Sequence, residues 1–163
     1  INFAKVETSG FDFSARYGFM VGDHAVDLSV SGTKVNEIDL FQNPLDLTEV
    51  NPELGEIGRP EWAGNVMANY GYRNFGLGWQ SQYIGEMLFA GLEIETAETL
   101  YGPTVSQDAT WIHNINAYYE IGDKVRVRAG INNLTDEVPF ITNNAFPASP
   151  RGRFFFVGVN AQI

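Results

Sequence analysis

The sequence contains no cysteine among its 163 residues, which excludes both a disulfide scaffold and a thiolate metal site. It also lacks any apolar run that approaches the roughly eighteen residues a transmembrane helix needs. If the chain crosses a membrane, it must therefore cross it with β-strands.

Basic residues and histidines are scarce. The chain has ten Lys and Arg and 20 Asp and Glu, so its formal net charge is −10. This charge argues against nucleic-acid binding, because such binding requires a basic surface. The two histidines, His24 in a predicted turn and His113 among apolar positions, are not placed beside a nucleophile as general bases. The acids of the predicted loops lack EF-hand spacing. The sequence thus predicts no enzyme, no catalytic residue, no metal site and no cofactor.

What the sequence does contain is strict alternation of apolar and polar residues. In the first alternating segment Phe11, Phe13, Ala15, Tyr17 and Phe19 are apolar, and the residues between them are mostly polar or small. This period of two predicts a β-strand with one oily and one wet face. Seven strands are predicted in this way, at 6–21, 26–31, 61–73, 77–83, 111–119, 124–132 and from 153 to the last residue, 163.

The connections between these strands alternate in length. Short turns at 22–23, 74 and 122–123 alternate with long loops at 35–60, 85–108 and 135–151, and the segment LEIETAETL in the second loop could form a short helix. Outer-membrane barrels have short periplasmic turns and long extracellular loops. The order predicts a periplasmic C-terminus and external long loops.

Aromatic residues test this orientation, because barrels carry them in two interfacial bands. One predicted band lies at the long-loop ends of the strands and the other at the turn ends; the two sets are Trp62, Tyr83, Trp111 and Phe155, and Tyr17, Phe19, Tyr70, Tyr72 and Tyr119. A soluble β-sandwich would alternate too, but it explains neither the bands nor the loop asymmetry. We predict an all-β, antiparallel transmembrane β-barrel.

The end of the chain resembles a known family. The turn Gly122-Asp123, the strand end GINNLTDEVP, a loop and a last strand opening GRFFFVGV are similar to the C-terminal end of TonB-dependent outer-membrane receptors. The resemblance is dense over 118–163 and looser back to residue 1. It implies a barrel of 22 strands, of which these are the C-terminal seven. These seven need further strands beside them, since an open edge is not tolerated in lipid.

The resemblance also implies a domain organisation and a function. Residues 1–163 are expected to be the C-terminal portion of the barrel, with the plug domain and earlier strands absent from this sequence; the opening on Ile1, without Met or a signal peptide, suggests a piece of a longer processed polypeptide. The implied function is energised uptake of a scarce nutrient such as an iron–siderophore complex, cobalamin or a saccharide. A passive porin or structural barrel is the alternative.

Partners and location follow from the same resemblance. It implies a multi-pass protein of the Gram-negative outer membrane, in contact with outer-membrane lipid and lipopolysaccharide. The implied partners are the TonB complex, through an N-terminal region not present here, the barrel-insertion machinery, through the last strand, and a small-molecule nutrient.

Two groups of residues are candidates for binding. Aromatic and polar side chains of the predicted outer loops could stack on and hydrogen-bond a bulky solute: Phe89, Glu93, Glu95, Tyr101, Asn143, Asn144, Phe146 and Arg151. Basic residues of the predicted wet face could contact a plug, guide an anionic solute or simply form a hydrated wall; these lumen-facing residues are Arg16, Arg73, Arg126 and Arg128, with Lys124 beside them.

Overall fold

The computed structural model describes residues 5–88, 91–139 and 148–162. Seven long strands carry most of the fold: β1 (Lys5–Val21), β2 (His24–Phe41), β4 (Trp62–Tyr72), β5 (Phe75–Ile84), β8 (Thr110–Ile121), β9 (Val125–Asn132) and β10 (Phe154–Ala161). The connections contain three short strands, β3 (Val50–Pro52), β6 (Met87–Leu88) and β7 (Ser106–Gln107), one helix, α1 (Ile94–Tyr101), and a 3₁₀ turn (Pro103–Val105).

The long strands form one antiparallel meander in the order β1-β2-β4-β5-β8-β9-β10. Each strand pairs with the next long strand along the chain, and the sheet is not closed: β1 and β10 are its edges. The all-β, antiparallel prediction is therefore confirmed, as is the short helix within LEIETAETL.

The register keeps the apolar positions of all seven strands on one face. Val30 of β2, for example, lies opposite Ala15 of β1 and Val66 of β4, while its neighbour Ser31 lies opposite Ser14 and Asn65 on the other face. The apolar face is not covered by protein; Leu28, on the inner strand β2, is 43% exposed. Such a large apolar surface is stable against lipid and unfavourable against water.

The second strand is longer than predicted. Residues 35–41, assigned from the sequence to a loop, continue β2 and pair with the start of β1, and β3 adds a short third strand beside them. The register shifts between Ser9 and Gly10, which leaves Asn36 without a cross-strand partner. A bulge of this kind inverts the alternation beyond it. The apolar–polar alternation in the sequence therefore ends before β2 does.

The last strand ends slightly earlier than predicted. β10 stops at Ala161, although the Gln162 N–H still donates to the Lys124 carbonyl oxygen at 2.9 Å. Ile163 lies outside the described residues.

The aromatic bands slope across the sheet. One cross-strand row contains Tyr17, Leu28, Ala68, Trp79, Ile115, Ile131 and Phe155. Phe11, whose ring centroid lies 6.2 Å from that of Trp62, extends the loop-end band onto β1, six residues from Tyr17 (17 − 11 = 6). The band reaches the row itself at Phe155, six strand steps away. A shift of one residue per step corresponds to a strand tilt of about 35°, given roughly 3.3 Å per residue and 4.8 Å between strands. Barrels have strands tilted by this amount.

The turn-end band slopes in the same direction. It includes Tyr17 on β1 and Tyr119 on β8, which lies four residues beyond Ile115 of the row (119 − 115 = 4) after four strand steps. On β8 the two bands are separated by eight residues, from Trp111 to Tyr119 (119 − 111 = 8). This is about 26 Å along the strand and about 22 Å along an axis tilted by 35°, close to the height of a barrel's apolar belt.

Two neighbouring residues test the assignment of the faces. Val30→Arg places a cation between the two aromatic bands on the apolar face, and it should lower the free energy of unfolding of the complete barrel in a bilayer by about 2–4 kcal/mol. Ser31→Arg, on the polar face, should lower it by less than about 1 kcal/mol. Denaturant titration followed by tryptophan fluorescence would measure both. Equal losses would contradict the assigned faces.

Candidate ligand-binding surface

The connections at the long-loop end are folded together. We call residues 53–59 and 86–106, without the undescribed 89 and 90, the loop body. The Leu88 N–H donates to the Gly55 carbonyl oxygen at 2.8 Å, joining the first long connection to the second. Gly55 has φ +94°, a backbone conformation that favours glycine, and a Cβ there would lie 2.8 Å from Ile94 Cδ1.

A small apolar core holds the loop body together. Leu88, Ala97 and Val105 are buried, and Leu92 and Ile94 pack against them. The helix α1 supplies Ala97 to this core and is capped by Gly102, whose N–H donates to the Glu98 carbonyl oxygen at 2.9 Å. The second connection is therefore an ordered element with its own burial.

Arg59 forms two ion pairs within the connection between β2 and β4. Arg59 lies 2.9 Å from a carboxylate oxygen of Glu53 and 3.0 Å from one of Glu56, and each carboxylate side chain is only 12% exposed. Burial raises the pKa of Glu56, and the charges of Glu53 and Glu93 raise it further, while Arg59 opposes them. One guanidinium thus serves two largely buried acids.

The long-loop end carries nearly all the net charge of the chain. Residues 42–61 and 85–109 contain one basic residue, Arg59, and ten acids, a sum of −9 (1 − 10 = −9) against −10 for the whole chain. The acids are Asp46, Glu49, Glu53, Glu56, Glu61, Glu86, Glu93, Glu95, Glu98 and Asp108. The long-loop end of the sheet consequently has a negative electrostatic potential.

Half of the predicted loop residues are described. Glu93 and Glu95 lie exposed at the start of α1 and Tyr101, 57% exposed, lies at its end, so these three occupy one helix. Arg151 is exposed in the turn before β10, where its N–H donates to Ser149 Oγ at 3.3 Å. The remaining predictions, Phe89, Asn143, Asn144 and Phe146, lie outside the described residues.

Three of the four predicted basic residues lie on the polar face. Arg16 pairs with Asp27 at 3.1 Å. Arg126 pairs with Glu120 and lies over the Tyr118 ring, 4.7 Å from its centroid. Arg128, on the next polar-face position of β9, lines with Arg126 a depression of about 420 Å³. Each of these pairs is exposed, so it contributes little to stability.

The fourth basic residue, Arg73, lies elsewhere. It occupies the turn between β4 and β5 at φ +50°, and its Nε donates to Asp23 Oδ2 at 2.8 Å, joining two neighbouring turns. The prediction that Arg73 belongs to a strand's wet face is corrected in this respect. Alternation predicted a strand as far as residue 73. Nothing in the sequence indicated that Arg73 would adopt a positive φ, because residues other than glycine seldom do.

The sequence reasoning missed the residues that organise the loop body, namely Glu53, Glu56, Arg59 and Leu88. One signal was present: Gly55 and Gly58 punctuate the segment PELGEIGR, and both have positive φ, +94° and +82°. Two such glycines around alternating charges indicate a compact folded turn.

The part of the chain that the structure describes lacks two features. None of the helices described there has the length and apolar character needed to cross a membrane. No group of three or more His, Cys, Asp and Glu side chains in that part of the chain is arranged to hold a metal ion.

An open antiparallel sheet with one continuous apolar face, two sloping aromatic bands and alternating turns and loops is the wall of a transmembrane β-barrel. Comparison with protein families agrees: the sequence model described as "TonB dependent receptor-like, beta-barrel" matches residues 1–134. The chain therefore belongs to this family, and the predicted resemblance to TonB-dependent receptors is confirmed. A search among curated proteins gave no match.

Membership carries general properties. Proteins of this family are receptors and transporters of the Gram-negative outer membrane that work with TonB, and they are transporters rather than enzymes. The match ends at Leu134, so it covers the strand end GINNL and not the final loop or β10.

Acidity should affect the loop body through Glu56. Its pKa is raised in the folded protein, so its ionised form opposes folding above that pKa, and this opposition disappears as the pH falls through the raised value. In the complete protein, the Leu88 amide, corrected for intrinsic exchange, should gain protection from hydrogen exchange between pH 7 and mildly acidic pH. Glu56→Gln should remove this pH-dependent gain in protection. Glu95→Gln, at an exposed position, should retain it. An unchanged profile in Glu56→Gln would contradict this assignment.

Proposed function

We propose that this chain is the C-terminal part of the barrel wall of a receptor for the energised uptake of a scarce nutrient. The family match over residues 1–134 carries the proposal. The two sheet edges, β1 and β10, support the proposed domain organisation, because strands in lipid need partners on both sides. Earlier strands and an N-terminal plug would complete a barrel of 22 strands, of which these seven form about a third.

In the proposed orientation the loop body lies outside the cell and the C-terminus in the periplasm. The support is the asymmetry of the connections: the turns of two or three residues at one end of the sheet contrast with the folded loop body at the other. Barrels place their short turns on the periplasmic side.

Nutrient capture would take place on the loop body. Glu93, Glu95 and Tyr101 lie exposed at and along α1, and α1 packs on Leu88, whose N–H donates to Gly55 of the first connection. A surface that is ordered before binding loses less conformational entropy when the solute arrives. Arg151 and the predicted loop residues Phe89, Asn143, Asn144 and Phe146 would complete the outer surface.

The charge of the loops narrows the substrate class. A sum of −9 over the two long connections favours an uncharged or cationic solute over a polyanion, since the local potential concentrates or repels the solute before contact. Iron–siderophore complexes of suitable charge, cobalamin and saccharides all satisfy this condition. Arg16, Arg126 and Arg128 on the polar face would contact the plug or the solute afterwards.

A passive porin remains the second candidate, because the exposed, charged polar face could also line an open channel. The two functions differ in their energy requirement. A porin would admit solutes without TonB, whereas a receptor would not.

Uptake by the complete receptor should depend on both TonB and the loop body. Cells would be supplied with one iron chelate, cobalamin or oligosaccharide at a time, and uptake of the solute that supports growth would be measured with TonB and without it. Leu88→Ala should loosen the loop body locally by about 2–5 kcal/mol and weaken binding of that solute, with the heat stability of the barrel unchanged. Leu100→Ala, at a position 67% exposed, is the matched control and should behave as wild type. Uptake that is equal without TonB would favour the porin.

The proposed orientation can be tested on intact cells. The chain has no cysteine, so a cysteine introduced at Thr96 in α1 or at Asp123 in the β8–β9 turn is the only target this sequence offers. A membrane-impermeant maleimide should label Thr96→Cys and should spare Asp123→Cys until the cells are lysed. The reverse pattern would invert the orientation.

A further inference from the structure

Four side chains of the polar face each lie over a glycine on the neighbouring strand. In every case the register places the glycine directly opposite the side chain, and the four pairs are Tyr118 over Gly76, Asn116 over Gly78, Phe156 over Gly130, and Arg128 over Gly158. A Cβ at Gly130 would lie 2.5 Å from Phe156 Cζ, and a Cβ at Gly76 would collide with the Tyr118 ring. A glycine inside a strand often marks a close approach of this kind. These side chains therefore pack down against the backbone of the sheet.

The same four side chains line a depression of the polar face between β5 and β10. Its volume of about 420 Å³ lies within the range of roughly 300–1,000 Å³ that small-molecule sites occupy. Further amide side chains complete the lining, namely Gln80, Asn114, Asn132 and Asn160. The depression thus combines aromatic rings, amides and guanidinium groups in one place.

The two arginines of the depression differ in their partners. Arg126 pairs with Glu120 and stacks on Tyr118, with its Cζ 4.7 Å from the ring centroid. In the part of the chain that the structure describes, Arg128 has no acidic partner, and no acid lines the depression. The site therefore carries one uncompensated positive charge, which disfavours a cationic ligand.

Hydroxyl groups match this lining. An amide side chain both donates and accepts hydrogen bonds, as a hydroxyl does, whereas an ammonium ion only donates and a carboxylate only accepts. Asn114 Oδ1 accepts a hydrogen bond from the Asn133 N–H at 2.9 Å, so this amide is held in place before a ligand arrives. The Phe156 ring adds a flat apolar surface that suits the C–H groups of a sugar ring.

We propose that this depression binds a sugar ring, whose C–H groups pack on Phe156 and whose hydroxyls hydrogen-bond to the amides and to Arg128. The inference rests on the proposed function, since it takes the polar face as the lining of the nutrient path, and it selects saccharides among the implied nutrients. A folded plug is the competing occupant. The amide-rich lining favours the sugar, because the buried core of a protein interface is mainly apolar.

The test uses the complete receptor in lauryldimethylamine oxide, a detergent without sugar groups. The probes are the methyl glycosides of glucose, galactose, mannose and xylose, each titrated by saturation-transfer-difference NMR. At least one should bind with a Kd of about 1–10 mM, as expected for a ligand of this size. The methyl glycoside of glucosamine, protonated at its amine, should bind about fivefold more weakly than that of glucose, because of the uncompensated positive charge of Arg128.

Two variants locate the binding. Phe156→Leu removes the ring and should weaken binding about fivefold. Phe155→Leu is the matched control, because the same change is made at the next residue, which lies on the apolar face and is 65% exposed, and binding should not change. Arg128→Gln should also weaken binding about fivefold, and it tests the same depression if Phe156→Leu fails to insert.

Three results would overturn the proposal. They are no binding of any of the four neutral glycosides, which would leave the depression to a plug, binding that Phe156→Leu and Arg128→Gln leave unchanged, and equal binding of the glucosaminide. The measurements need no uptake. Loss of TonB-dependent transport with glycoside binding retained would contradict only the proposed function, and TonB-dependent uptake without glycoside binding would contradict only this inference.

Discussion

The fold depends on the pairing of backbone N–H and C=O groups between neighbouring strands. In lipid no water is present to replace a missing partner, so each long strand must be bonded along both sides. Once pairing is required, the register becomes the decisive quantity, because a slip of one residue would exchange the two faces of a strand. Between β2 and β4, for example, apolar Val30 lies opposite apolar Val66, and polar Ser31 lies opposite polar Asn65.

This constraint explains why the barrel wall could be predicted from the sequence and the loops could not. Alternation is a local property, so strands such as β1 and β9 were found near their observed bounds and on the right faces. It failed at Asn36, where one unpaired residue inverts the pattern and conceals the end of β2. It failed in a different way at Arg73, where hairpin geometry and not periodicity determines the conformation.

The loop body illustrates the other limit. Its hydrogen bond from Leu88 to Gly55 joins residues 33 positions apart (88 − 55 = 33), and its ion pairs share one guanidinium between two acids. Neither feature has a periodic signature, because the hydrogen bond joins two separate connections and the ion pairs form within a folded turn of the first one. The acids of α1 were recognised as candidates from their residue types alone, and the core that positions them was not.

The slope of the aromatic bands has a consequence for the size of the complete barrel. An offset of about one residue per strand, continued around the sheet, closes the barrel with a shear number close to the number of strands. With 22 strands, as proposed, and a tilt of about 35°, the backbone cylinder has a radius of about 20 Å. A globular domain of about 100 residues has a radius of gyration near 13 Å. Such a cylinder is wide enough to enclose a folded domain, so the wall curves too gently for its own side chains to fill the interior.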